Sequence, residues 1–249
     1  MSLALHSQLL ASTGALHEGV STASVGNLSY LYGEEVEVTK ARALFLRQLG
    51  TATDHGVGFR PLDRDVIVEV DESYRGLGMS PRLPLRADAL VTRTAEVGLF
   101  LLLGDCLGVM VYDPRQGVVA LAHCGWRSTN ERLAAKLIAY LQAAHGSAAE
   151  DLLVYLTPVI AKENYWYDDT IRELTQGWGE YIRPARQGGW LVDLQGYNLE
   201  QLRLAGVRSK NIESAGMDTF SSERLYSHVR SLRQGSPAAR FGVYIERRG

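Results

Sequence analysis

Two stretches, LGVMVYD (107–113) and GVVALAH (117–123), are apolar at almost every position and stand only three residues apart. A strand with no polar face cannot lie in a sheet that has one side in water; it must be covered on both. Asp113, Pro114 and Gly117 supply turn chemistry between the two, so the pair reads as a hairpin. Runs of the same kind recur: DVIVEV (65–70), ADALVT (87–92), VGLFLLL (97–103), LLVYLTP (152–158), WLVDL (190–194) and FGVYIE (241–246). Each is short and bounded by Gly, Pro or Asp, as strands are. The chain therefore has to build sheets buried beneath other layers.

Helical periodicity supplies the covering material. EVTKARALFLRQLG (37–50) ends on a glycine, and STNERLAAKLIAYLQAAHG (128–146) carries Leu133, Leu137, Ile138 and Leu141 on one face. Ser128 with Glu131 three residues on has the form of a capping box, and Gly146 stops that helix. YNLEQLRLAG (197–206) repeats the device, with Asn198 as the expected cap. Strands and helices interleave without a repeat or a low-complexity linker, which predicts an α+β class and a single domain over 1–249.

With 26 basic and 28 acidic residues in 249, the formal net charge of −2 offers no basic footprint for nucleic acid and no polybasic membrane patch. A small-molecule partner is the expectation. Two cysteines make no disulfide framework, and the first residues lack the charged and apolar regions of a secretion signal, so a reduced, cytoplasmic setting is expected. The run VGLFLLLG is far shorter than the roughly 20 residues of a membrane span.

Both cysteines and a histidine gather at the open end of the hairpin, as Cys106, His123 and Cys124. A turn centred on Pro114 and Arg115 sets Cys106 directly opposite His123; a slip of one residue sets it opposite Cys124. Strand alternation allows only one of His123 and Cys124 on the Cys106 face. His123 is the choice, with Cys124 a packing residue. Asp105, a charge in an apolar neighbourhood, needs a partner. Arg127 stands where the chain turns through Gly125 into a helix, a position suited to anions. Thiol, imidazole and anion clamp thus fall close together.

NLSYLYGEE, DHGVGF, ADALVT, GDCLGVMVYDPRQGVVALAHCGWRST and YSHVR occur in the order and spacing of the laccase-domain family, and the sequence resembles that family from about residue 25 to 246. These are bacterial proteins once called multicopper polyphenol oxidases and later described as purine nucleoside phosphorylases. The resemblance implies a four-layer α/β/β/α sandwich. It implies a metal site, zinc with copper also accepted, whose ligands carry over to His55, Cys106 and His123. One thiolate and two imidazoles suit zinc with a fourth position free. It further implies phosphorolysis of adenosine, inosine, guanosine and methylthioadenosine, with deamination of adenosine. Arg127, Arg230, Asn27 and His228 would meet substrate or phosphate, in a monomer or weak homodimer.

The chain departs from the family pattern at Thr53, Ser128, Thr157-Pro158, Asp218-Thr219 and within YSHVR. Three other readings remain open. One is a metal-free hydrolase or amidase, with Cys106 as nucleophile and His123 as base, acting on amides such as peptidoglycan precursors. Another is a copper-dependent polyphenol oxidase. The last is a binding protein that takes up metal without turnover.

Overall fold

The computed structural model describes residues 2–81, 84–174 and 176–249. Its first strands are β1 (Ala4–Leu5), β2 (Leu16–Ser21), β3 (Gly56–Arg60), β4 (Ile67–Glu69) and β5 (Leu85–Arg86). The middle of the chain gives β6 (Ala89–Thr92), β7 (Gly98–Leu103), β8 (Leu107–Asp113), β9 (Val118–Cys124) and β10 (Leu153–Leu156). Then come β11 (Trp166–Tyr167), β12 (Ile182–Pro184), β13 (Trp190–Val192), β14 (Ile212–Ser214) and β15 (Phe241–Arg247). The helices are α1 (Gln8–Ala11), α2 (Glu35–Leu49), α3 (Trp126–Asn130), α4 (Leu133–His145), α5 (Thr170–Leu174), α6 (Leu194–Leu204) and α7 (His228–Gln234). All eight strands expected from apolar runs are present.

Two six-stranded sheets face each other, ordered β1-β2-β15-β7-β3-β5 and β14-β10-β8-β9-β6-β4. A small third sheet, β11-β13-β12, stands beside them. Side-chain alternation assigns the layers. Along β7, Leu99, Leu101 and Leu103 enter the core between the sheets with Val119 and Leu121 of β9. Phe100 turns outward onto Phe45 and Leu46 of α2. Along β9, Val118, Ala120, Ala122 and Cys124 turn the other way, onto Leu133, Leu137 and Leu141 of α4 and Leu202 of α6. Helix, sheet, sheet, helix is the resulting order, and Cys124 is a packing residue of the outer core. Among the described residues no helix is long and apolar enough to cross a membrane.

Three local expectations are corrected. The hairpin register pairs Leu107 with Cys124 and Gly108 with His123, so Cys106 lies just beyond the ladder rather than opposite either residue. The loop takes in Gly117, which has φ +64°; its N–H bonds the Asp113 carbonyl at 2.9 Å, while the Asp113 side chain accepts from Arg115 and Gln116. That moves the turn centre one residue downstream. The capping box does not form: Gly125 caps α3, the left-handed Arg132 (φ 62°) breaks the run, and Ser128 Oγ donates back to the His123 carbonyl at 2.7 Å. Asp193, not Asn198, caps α6; Asn198 is buried inside it, donating to Thr129 Oγ1 and the Leu194 carbonyl.

Candidate functional site

The C-terminal end of β7 and the open end of the β8–β9 hairpin meet the loops leaving β3 and entering β15, and between them lies a cavity of about 490 Å³. Its wall includes Cys106, His123, Trp126, Arg127, His228 and Arg240, with Arg60 and Asp63 from the chain beyond β3. Tyr165, just before the small third sheet, and Tyr167, within its strand β11, close one side. This size suits a nucleoside-sized ligand.

Cys106 and His123 are brought together, with Gly125 as the reason there is room between them. A Cβ placed on Gly125 would stand 2.9 Å from His123 Cε1 and 3.3 Å from Cys106 Sγ. His123 is only 7% exposed, and its buried Nδ1 has no partner. Burial lowers its pKa below the ordinary imidazole value, so the ring is neutral at pH 7. Burial, with Asp105 and Asp63 nearby, pushes the Cys106 thiol up to about 12. Cys106 is therefore a protonated thiol here, and no hydrogen bond links it to His123. A nucleophile needs the opposite, a depressed pKa and a base in contact, so the arrangement does not favour the cysteine-hydrolase reading.

Asp105 finds neutral partners rather than a cation: Thr219 Oγ1 donates to it at 2.6 Å and the Val229 N–H at 2.7 Å. Burial raises its pKa. It ties the Cys106 turn to the start of α7, where His228 N–H donates to the Gly104 carbonyl at 2.7 Å. His228 is thereby placed on the cavity wall, and burial and Arg240 lower its pKa. Arg127 reaches the cavity with its guanidinium 4.3 Å above the Trp126 ring and 3.8 Å from Asp63.

Three sequence candidates lie elsewhere. The Arg230 guanidinium is consumed by the carbonyls of Thr219, Phe220, Ser222 and Leu225, so it ties down the loop before α7. Asn27 Oδ1 accepts from the backbone N–H of Ser29 and of Arg240; it positions Arg240 without reaching the cavity. His55 is the largest displacement. It precedes β3, whose Gly56 pairs with Gly98 at the start of β7, whereas the cavity opens past Leu103 at the other end. Five residues of strand separate them, about 17 Å.

His55 Nδ1 instead lies 3.2 Å from buried Glu246, whose carboxylate also takes the hydroxyls of Thr51 and Tyr244. Gly98 leaves the space that the Tyr244 hydroxyl occupies. The His55, Cys106, His123 ligand set therefore does not fit, since one member is at the wrong end of a strand. Among the described residues no three His, Cys, Asp or Glu groups stand close enough to hold a metal ion. His55→Ala is expected to cost about 1–3 kcal/mol of stability by stripping a buried carboxylate of a partner, with kinetics unchanged. Thermal melts beside steady-state rates check it, and a stable variant that has lost its rate would return His55 to the site.

Sequence reasoning missed Asp63, Arg240, Tyr165 and Tyr167. Among the described residues Asp63 is one of three non-glycines with positive φ (59°), a conformation that clusters at functional sites. The departures from the family pattern are locally accommodated. Thr157 Oγ1 accepts the Gly108 N–H at 2.9 Å, and Asp218 accepts from Ala161, Asn164, Phe220 and Ser221.

The chain is similar to known proteins in sequence and in fold. A purine nucleoside phosphorylase of Bacteroides thetaiotaomicron is 27% identical over 165 residues, 64% of this chain and 61% of that protein, so the match spans under two thirds of the relative. Adenosine deaminase RL5, from an unknown prokaryotic organism, is 25% identical over 222 residues, 86% of this chain and 84% of that one. The crystal structure of YlmD from Geobacillus stearothermophilus superposes with a TM-score of 0.88 at 25% identity, covering 98% of this chain and 94% of that one. Residues 13–244 match the model of the multi-copper polyphenol oxidoreductase laccase family, and the chain belongs to that family.

Proposed function

We propose that the chain is a purine nucleoside phosphorylase, taking a nucleoside such as adenosine, inosine, guanosine or methylthioadenosine together with inorganic phosphate. One observation carries the reading: a single cavity sets the cations Arg127, Arg240 and Arg60 beside an aromatic wall of Trp126, Tyr165 and Tyr167. Guanidinium groups suit phosphate, and aromatic faces suit a heterocyclic base. The phosphorylase names of several relatives support it. Neutral His123 lines the same cavity.

The deaminase name of RL5 supports a second activity on the same nucleoside. Both are read in one experiment: adenosine is incubated with the protein, with and without phosphate, and the products are separated by chromatography. Adenine formed only with phosphate is the expected result, and inosine would report deamination. Adenosine left intact under both conditions, with His123→Ala and the parent indistinguishable, would remove the purine reading.

A further inference from the structure

A zinc ion that keeps one position open for chemistry is held by three protein donors, and the cavity brings together two. Cys106 Sγ and the His123 ring flank the gap left by Gly125. His228, the other imidazole of the cavity wall, does not complete the set, since among the described residues no three such groups stand close enough to hold a metal ion. The remaining approach is β3. It runs parallel to β7 with Gly56 opposite Gly98 and Gly58 opposite Phe100, which sets Arg60 level with Leu102 on the way to Cys106. Val57 and Phe59 enter the core between the sheets, so alternation turns Arg60 out of that core, and it lines the cavity. The strand that reaches the two donors thus delivers a guanidinium, which has no lone pair to offer a metal.

Charge points the same way. Arg127 and Arg240 line the cavity with Arg60. The Arg240 guanidinium lies 4.6 Å over the Tyr32 ring and donates to the Ala239 carbonyl at 2.8 Å. Gly104 leaves it room, because a Cβ there would stand 2.9 Å from Arg240 Cδ. Among the described residues only Arg127 of the three pairs with a carboxylate, that of Asp63 at 3.8 Å. A divalent cation entering here meets positive charge without enough acid to offset it, whereas an anion finds its counter-charge already in place. We propose that the cavity of this chain works without a metal ion, and that Arg60 stands where a third ligand would have to enter. The positive charge that meets the substrate anion is then permanent and carried by side chains. Only the identity of that anion rests on the phosphorylase reading.

Elemental analysis of the purified protein gives its metal content, and competition with a chromogenic chelator gives zinc affinity for the parent, Arg60→Ala and Arg60→His. Calorimetry with inorganic phosphate, with and without EDTA, gives anion affinity. Arg60 is exposed, so its replacement leaves the core intact. The parent is expected to carry no stoichiometric metal and to bind phosphate equally with and without EDTA. Arg60→Ala should weaken phosphate about 10-fold and strengthen zinc binding only a few-fold, through charge alone. Arg60→His adds a donor and should gain about 100-fold or more for zinc, the upper end of what even an indirect ligand contact contributes. Adding Cys106→Ala should abolish that gain. One metal ion per parent chain, phosphate binding that EDTA removes or that the metal-free parent lacks, or Arg60→His no better than Arg60→Ala for zinc would each overturn the proposal. A metal-free parent that binds phosphate but leaves adenosine intact would remove the phosphorylase and keep this inference.

Discussion

His123→Ala is expected to lower kcat/KM for phosphorolysis about 10³-fold, within the range for losing a positioned acid–base group. The ring is buried, neutral and unpartnered at Nδ1, and Gly125 keeps the space between it and Cys106 clear. Gly125→Ala should cost nearly as much, because its methyl group would fill that space while the imidazole remains. The pH dependence has a definite sign. Burial lowers the His123 pKa, so kcat/KM should hold steady as pH falls to 6.5 and decline only at lower values, where the ring is protonated.

Stability follows the same group. Below about pH 6.5 the unfolded chain takes up the proton before the folded one does, so the contribution of His123 is complete above that pH and is lost as pH falls through the folded value. Melting temperatures from pH 7.5 to 5 should drop more steeply for the parent than for His123→Ala. Parallel profiles, or a variant with undiminished kcat/KM, would place the reacting group elsewhere.

What the sequence could convey depended on the kind of signal. Eight apolar runs all became strands because burial on both faces leaves composition little choice. The pairing of Cys106 with His123 at one cavity was also legible, though the register was not. Gly117 enters the loop with positive φ, and that shifts every pair along the hairpin. His55 illustrates a deeper limit. GVGFR, with two glycines in five residues, lacks the pattern of a strand, so nothing in the sequence says that β3 carries the chain from one end of the sheet to the other. Once it does, His55 is at the wrong end and Asp63 at the right one. Arg230 failed for another reason: four carbonyls from a single loop claim its guanidinium, and loop geometry is not written in residue types. The aromatic triplet Tyr165-Trp166-Tyr167 was the one overlooked signal, since such a cluster beside a short strand invites the question of what it stacks on.

Arg127 yields the other large effect. Its guanidinium rests on Trp126 and lies 3.8 Å from the Asp63 carboxylate. Both partners are about half exposed, so the pair adds little to stability and its importance is positional. Phosphate, a dianion with oxygens that match the guanidinium fork, should displace the single carboxylate. Arg127→Ala is therefore expected to lower kcat/KM for phosphate about 10²-fold, chiefly through KM. Arg127→Lys should recover only a small part, because a point charge does not reproduce two parallel hydrogen bonds or the stacking on Trp126. The informative variant is Asp63→Asn. If the carboxylate competes with phosphate for Arg127, removing its charge should lower the phosphate KM a few-fold and flatten the salt dependence of kcat/KM. If Asp63 serves only to hold Arg127 in position, the phosphate KM should rise instead. Initial rates against phosphate at two ionic strengths separate these signs, and a rise would show that the pair is a support rather than a latch that the substrate opens.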